Sequence, residues 1–61
     1  MELSTQDYLT KALLDTQERV RDFMNYSVVI ENDDLKRFFR AYAESEGLHA
    51  MQLQSFLKSM R

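Results

Sequence analysis

Helix-breaking residues are almost absent from this chain of 61 residues, which contains no Pro and a single Gly, Gly47. Because Pro and Gly are the strongest local interruptions of a helix, their scarcity predicts long helices. Ser4 or Thr5 is expected to cap a first helix. The turn-prone segment 31–34 interrupts the pattern once, and Asn32 or Asp33 there is expected to cap a second helix. The sequence predicts one all-α hairpin unit over 1–61, with helices at 5–30 and 33–60 and a turn at 31–33.

One short segment also allows another structure. The run Tyr26 to Ile30 contains three β-branched residues in succession, which is typical of a strand. A single short strand would have no partner strand, so we expect the helix to continue through this run.

Apolar residues recur at alternating steps of three and four, the period of a helix packed along one seam. The core and dimer seam predicted on the first helix is Leu9, Leu13, Thr16, Val20 and Phe23, continuing to Ser27 and Ile30. On the second helix it is Leu35, Phe39, Tyr42, Glu46, His49, Leu53, Phe56 and Met60, widened by Phe38, Ala50 and Leu57. A stripe this wide suits a helix with two neighbours. We therefore expect two hairpins to form a homodimeric antiparallel four-helix bundle.

The size and composition of the chain limit its function classes. So short a chain usually needs a disulfide, a metal or a partner subunit, and the absence of Cys excludes the first. The net charge of −2 makes nucleic acid an unlikely partner. One His and no glycine-rich loop predict no catalytic residues of the hydrolase or nucleotide-dependent classes. With no leader and no long apolar run, we expect a cytoplasmic protein that does not contact membranes.

Two polar residues interrupt the predicted seam of the second helix. Glu46 and His49 are three residues apart and share a helical face. Because a buried carboxylate needs a hydrogen-bonded or cationic partner, both side chains are candidate metal ligands. In a two-fold dimer, both copies of the pair would lie at mid-bundle, a set that suits iron, manganese or zinc. One alternative is a buried hydrogen-bonded pair that fixes helix register, across chains or with Thr16 and Tyr42. Another is that the pair lines a pocket or is exposed, which a different helix phase would produce.

The segment Glu46-Gly47-Leu48-His49, followed by Ala50, resembles the Glu-x-x-His helix of the ferritin-like superfamily, which includes rubrerythrins and spore coat F-type proteins. The resemblance covers one hairpin, about half of the four-helix unit in those families. It implies a carboxylate-bridged di-iron site with oxidase or iron-handling chemistry. Antiparallel pairing places Thr16 and Val20 opposite His49 and Glu46, where the family has a carboxylate.

Three functions follow from these observations. The favoured one is a small ferritin-like structural or interaction protein, with metal bound between subunits through Glu46 and His49. The second is a di-metal oxidase or iron-handling protein. The third is a small dimeric RNA- or DNA-binding regulator that uses the basic cluster Lys36, Arg37 and Arg40. A mixed-charge solvated face, with pairs such as Arg40 and Glu44, is the alternative interpretation of that cluster.

Overall fold

The protein is a hairpin of two long helices in the computed structural model, which describes residues 3–60. The first helix, α1, spans Thr5–Val29, and the second, α2, spans Asp33–Ser59. Each ends one residue before its predicted end. The run from residue 26 continues α1 as far as Val29, and residues 3–60 include no strand. None of the helices in this range is both long and apolar enough to cross a bilayer.

The start of each helix is fixed by a side-chain cap. Ser4 accepts a hydrogen bond from the amide of Asp7, and the Asp7 carboxylate accepts one from the amide of Ser4, which completes a capping box. Asn32 accepts from the amide of Leu35 at 3.0 Å. These bonds satisfy amides that have no partner inside the helix. Of the two cap candidates at each helix, the structure selects Ser4 and Asn32.

Three side-chain pairs define how the helices align. Arg19 contacts Glu46, Phe23 packs edge-on against Tyr42, and Tyr26 packs edge-on against Phe39. From the first pair to the second, and from the second to the third, the contact moves four and then three residues forward along α1. It moves back by the same numbers of residues along α2. By the same step Thr16 lies at the level of His49, so the predicted antiparallel alignment is confirmed.

The seam of α1 lies where its pattern predicts. Every position of that seam is buried or half-buried, and Thr16 is only 4% exposed. Its hydroxyl is satisfied by donating to the carbonyl of Ala12 at 2.8 Å. The 3.6-residue period alone was sufficient to locate this face.

On α2 the structure divides the predicted wide stripe into two sides. The side that packs on α1 consists of Phe39, Ala43, Glu46, Ala50, Leu53 and Leu57. Ala43, which the predicted seam omits, is its most buried member at 1% exposure. The other side, here called the open face, consists of the exposed residues Leu35, Phe38, Tyr42, Phe56 and Met60. The two sides are centred roughly 70° apart around the helix axis.

Contact with α1 covers only part of the predicted core and dimer seam of α2. Leu35, Tyr42 and Phe56, which the pattern places on this seam with Phe39 and Leu53, are 42–60% exposed in the hairpin. Both sides of α2 keep the three-and-four spacing, so periodicity alone could not separate them. Contact with α1 selects the side that carries the small residues Ala43 and Ala50.

Gly47 lies within regular α-helix, and a Cβ added there would meet nothing within 4 Å. The hairpin therefore shows no close backbone approach that requires glycine. We predict that Gly47→Ala raises the free energy of unfolding by about 1 kcal/mol, because Ala loses less backbone entropy in a helix. Urea denaturation followed by circular dichroism measures this change. Destabilisation would instead indicate a neighbour at this position in the assembled protein.

Candidate functional site

Glu46 is the most enclosed charged group of the central cluster. Its side chain is 12% exposed, on the side of α2 that packs against α1. Oε2 accepts a hydrogen bond from Nε of Arg19 at 2.6 Å, and Oε1 lies 2.7 Å from Nδ1 of His49. Both carboxylate oxygens therefore have partners.

Arg19 connects the two helices at this point. Besides Glu46, its Nη2 donates to the hydroxyl of Thr16 at 3.2 Å. One guanidinium thus joins the carboxylate of α2 to the buried hydroxyl of α1. Because a guanidinium presents its donors in a fixed plane, these bonds restrict how far the helices can slide along each other.

The environment of Glu46 favours its ionised form. The hydrogen bond from Arg19 lowers the pKa of this carboxyl below its usual value, and the hydrogen bond from His49 lowers it further. Partial burial opposes this shift but is the smaller influence. Since an ionised carboxylate only accepts hydrogen bonds, the contact with His49 requires a hydrogen on Nδ1.

His49 lies at the edge of this cluster and faces outward. Its side chain is 62% exposed, in contrast to that of Glu46. It borders a shallow cavity of about 330 Å³ on the open-face side of α2. The cavity is lined by Phe38, Ala41, Tyr42, Ser45, Glu46 and His49. The two side chains expected to point inward therefore differ: Glu46 points toward α1, whereas His49 is exposed and borders the cavity on the open-face side of α2.

An aromatic cluster lies between this site and the turn. The rings of Phe23 and Tyr42 are 4.7 Å apart, and Phe38 is 6.1 Å from Tyr42. The part of the cluster between the helices stabilises the hairpin, whereas Phe38 and Tyr42 expose about half of their surface. Polar and aromatic groups thus adjoin on one surface.

Metal binding through Glu46 and His49 stays a prediction. Among residues 3–60, no three side chains of His, Cys, Asp or Glu come together as a ligand set within one chain. Thr16 and Val20, at the levels of His49 and Glu46, supply no carboxylate. Glu18, which lies at the right level along α1 for the missing carboxylate ligand, is exposed. One hairpin therefore brings together two candidate ligands.

Internal ion pairs partly neutralise the predicted basic surface. Arg37 contacts Asp34, and Arg40 lies 3.5 Å from Glu44, the pair expected from the sequence. Lys36, Arg37 and Arg40 line one shallow cavity with residues of α1. Nucleic-acid binding by these residues stays a prediction.

Sequence reasoning missed the role of Arg19. The signal was present, because the alignment that places Val20 opposite Glu46 also places Arg19 beside it. Arg19 lies about 70° from the centre of its seam, where a long side chain can still reach across to the neighbouring helix. The expectation that Glu46 needs a cationic or hydrogen-bonded partner is met by Arg19 and His49 together.

Comparison of the chain with protein-family models, with curated proteins and with solved structures finds no match.

The lowered pKa of Glu46 predicts a pH-dependent contribution to stability. This contribution is present above the unfolded-state pKa, near 4.5, and is lost as the pH falls through the lower folded-state value. The difference in unfolding free energy between wild type and Glu46→Gln should therefore be largest near pH 6 and shrink below pH 4. Urea denaturation across pH 3–7 measures it.

Glu44→Gln is the matched control, because it removes the same charge from a side chain that is 69% exposed. Equal changes of the pH profile in both variants would contradict a specific contribution of Glu46.

Proposed function

We propose that this chain is a small structural or interaction protein of ferritin-like character that acts as a homodimer, with two hairpins forming a four-helix bundle. The observation that carries this proposal is the open face of α2, which exposes five large apolar side chains next to a minimal core. The following arguments support it.

The hairpin alone buries very little. Only Ala43 and Thr16 are buried among residues 3–60, and no large side chain there is fully enclosed. A stable domain normally has a contiguous core of large apolar side chains. Phe38, Tyr42 and Phe56 supply such side chains, but in the hairpin they face solvent.

The accessible surface indicates how much a partner would cover. The hairpin exposes 5075 Å², whereas a compact monomer of 7.3 kDa is expected to expose about 4,200 Å². The excess of about 900 Å² is close to the roughly 800 Å² that each partner buries in a specific interface. A second copy of the same chain supplies a surface of matching size and composition.

The angle between the two sides of α2 fits the same architecture. In a four-helix bundle each helix contacts two neighbours on adjacent sides. With α1 on one side, the open face of α2 is directed to where a second neighbour would lie. The ferritin-like character rests on this arrangement together with the Glu46-to-His49 motif.

The homodimer predicts a mass of about twice 7.3 kDa in size-exclusion chromatography with light scattering. Phe38→Asp should weaken the dimer at least ~30-fold, because truncation of a buried aromatic anchor costs about 2 kcal/mol or more. The same should hold for Phe56→Asp. Sedimentation equilibrium measures the dissociation constants.

Leu48→Asp and Met51→Asp are the matched controls. These residues are 64% and 65% exposed, similar to Phe38 and Phe56, but they lie on the outer side of α2. Both variants should remain dimeric. A wild-type chain that is monomeric at all concentrations, or loss of the dimer in all four variants alike, would contradict the proposal.

Metal binding at the subunit boundary is a second candidate function, favoured by the 2.7 Å contact between Glu46 and His49. A carboxylate on Nδ1 orients the imidazole and leaves Nε2 available to a ligand on the open-face side. Iron, manganese or zinc accepts such nitrogen and oxygen donors. For Glu46 to bind the ion directly it would have to give up its contact with His49 or with Arg19, and Arg19 already binds Oε2.

This candidate predicts one or two metal ions per dimer in native mass spectrometry after addition of Zn²⁺, Fe²⁺ or Mn²⁺. His49→Ala should remove the bound metal, whereas Arg19→Met should increase occupancy because it removes a competing cation. Equal metal content in wild type and His49→Ala would reject a site at this pair.

A further inference from the structure

The side of α2 that contains the open face has a nearly symmetric order of side chains along its length. At steps of three and four residues from the start of the helix, its residues are Leu35, Phe38, Tyr42, Ser45, His49, Gln52, Phe56 and Ser59, with Met60 next to Ser59. Large apolar groups lie toward both ends and polar groups lie in the middle. Such an order is suited to pairing with an antiparallel copy of itself.

Antiparallel pairing centred on residue 47 brings matching groups together. Phe38 then lies opposite Phe56 of the second copy, and Tyr42 lies opposite Gln52. Ser45 lies opposite His49, whose Nδ1 is already held by Glu46 at 2.7 Å and whose Nε2 is directed away from that bond. Phe56, Gln52 and His49 of the copy would cover the cavity between Phe38 and His49. Apolar groups meet apolar ones, and each central polar group meets a hydrogen-bonding partner.

The adjacent edge of α1 gives an independent indication of the same symmetry. Tyr8, Asp15, Arg19 and Tyr26 share one side of α1. Antiparallel pairing of this edge, centred on residue 17, places Tyr8 opposite Tyr26 and Asp15 opposite Arg19. Arg19 uses Nε for Glu46 and Nη2 for Thr16, which leaves Nη1 for a carboxylate of the second copy.

The two centres lie at one level of the hairpin. Because Arg19 is level with Glu46, residue 17 of α1 corresponds to residue 48 of α2. The centre derived from α2, residue 47, differs from this by one residue, about 1.5 Å along the helix. One two-fold axis can therefore serve both helices.

We propose that the second copy packs antiparallel, α2 on α2 and α1 on α1, about a two-fold axis perpendicular to the helices at the level of residues 17 and 47. This inference rests on the proposed homodimer and specifies its geometry. It makes the Glu46–His49 pair part of a site that Ser45 of the second copy completes.

The absence of Cys makes cross-linking a direct test. Tyr42→Cys/Gln52→Cys, which keeps Phe38 and Phe56, should form a covalent dimer on mild oxidation. Tyr42→Cys alone should not, because the two copies of residue 42 would be separated by about 15 Å along the helices, far beyond disulfide reach. Covalent dimers from either single variant would overturn the proposed axis.

A second measurement leaves the open face intact. Arg37→Cys and Leu48→Cys carry the spin labels, because both positions are exposed and lie outside the open face. Residue 37 is far from the proposed two-fold axis, and residue 48 is close to it. The proposed geometry separates the two labels by about 30 Å along the helices for residue 37 and about 3 Å for residue 48. Double electron–electron resonance should give a clearly longer distance for residue 37. Similar distances at both sites would indicate an axis along the helices and overturn the proposal.

Light scattering of the same labelled samples distinguishes an error in the proposed axis from an error in the proposed homodimer. A dimer with single-variant cross-links, or with similar label distances, overturns the axis but leaves the homodimer intact. A monomer overturns the homodimer and the axis together.

Discussion

A helix with one neighbour can bury only one side, but α2 carries large apolar side chains on two sides. The side that contacts α1 is lined by small residues at Ala43 and Ala50, which let the helices approach closely. The aromatic residues Phe38 and Phe56 lie on the other side and gain nothing from that contact. The interaction of α1 with α2 therefore decides both which side chains the hairpin buries and which it leaves exposed.

The polar cluster follows from the same packing. Once the small-residue side of α2 faces α1, Glu46 becomes largely enclosed and requires a counter-charge. Arg19, at the same level of α1, provides it, and His49 holds the second oxygen. An ion pair that is fully hydrogen-bonded between two helices opposes sliding by a turn, because a shift would leave an unpaired carboxylate in a partly buried position.

This arrangement also relates the structural and metal-binding proposals. The carboxylate that would bind a metal is the one that holds the hairpin in register, so metal and Arg19 compete for one oxygen. The imidazole is different, because its Nδ1 faces Glu46 while the side chain is 62% exposed and borders the cavity on the open-face side.

The order of residues along the chain was sufficient to predict the two helices, a pair of candidate caps at each helix start and the buried side of α1. These features depend on residues close together in the chain: Ser4 and Asn32 at the helix starts, the scarcity of Gly and Pro, and the three-and-four spacing from Leu9 to Ile30. Contacts between the two helices determine which side of α2 faces α1 and which cation pairs with Glu46. Two sides of α2 share the same period, and periodicity carries no information about which one meets its neighbour. That choice depends on side-chain volume across the helix pair, where Ala43 allows the close contact, and on the reach of Arg19 from the edge of its seam.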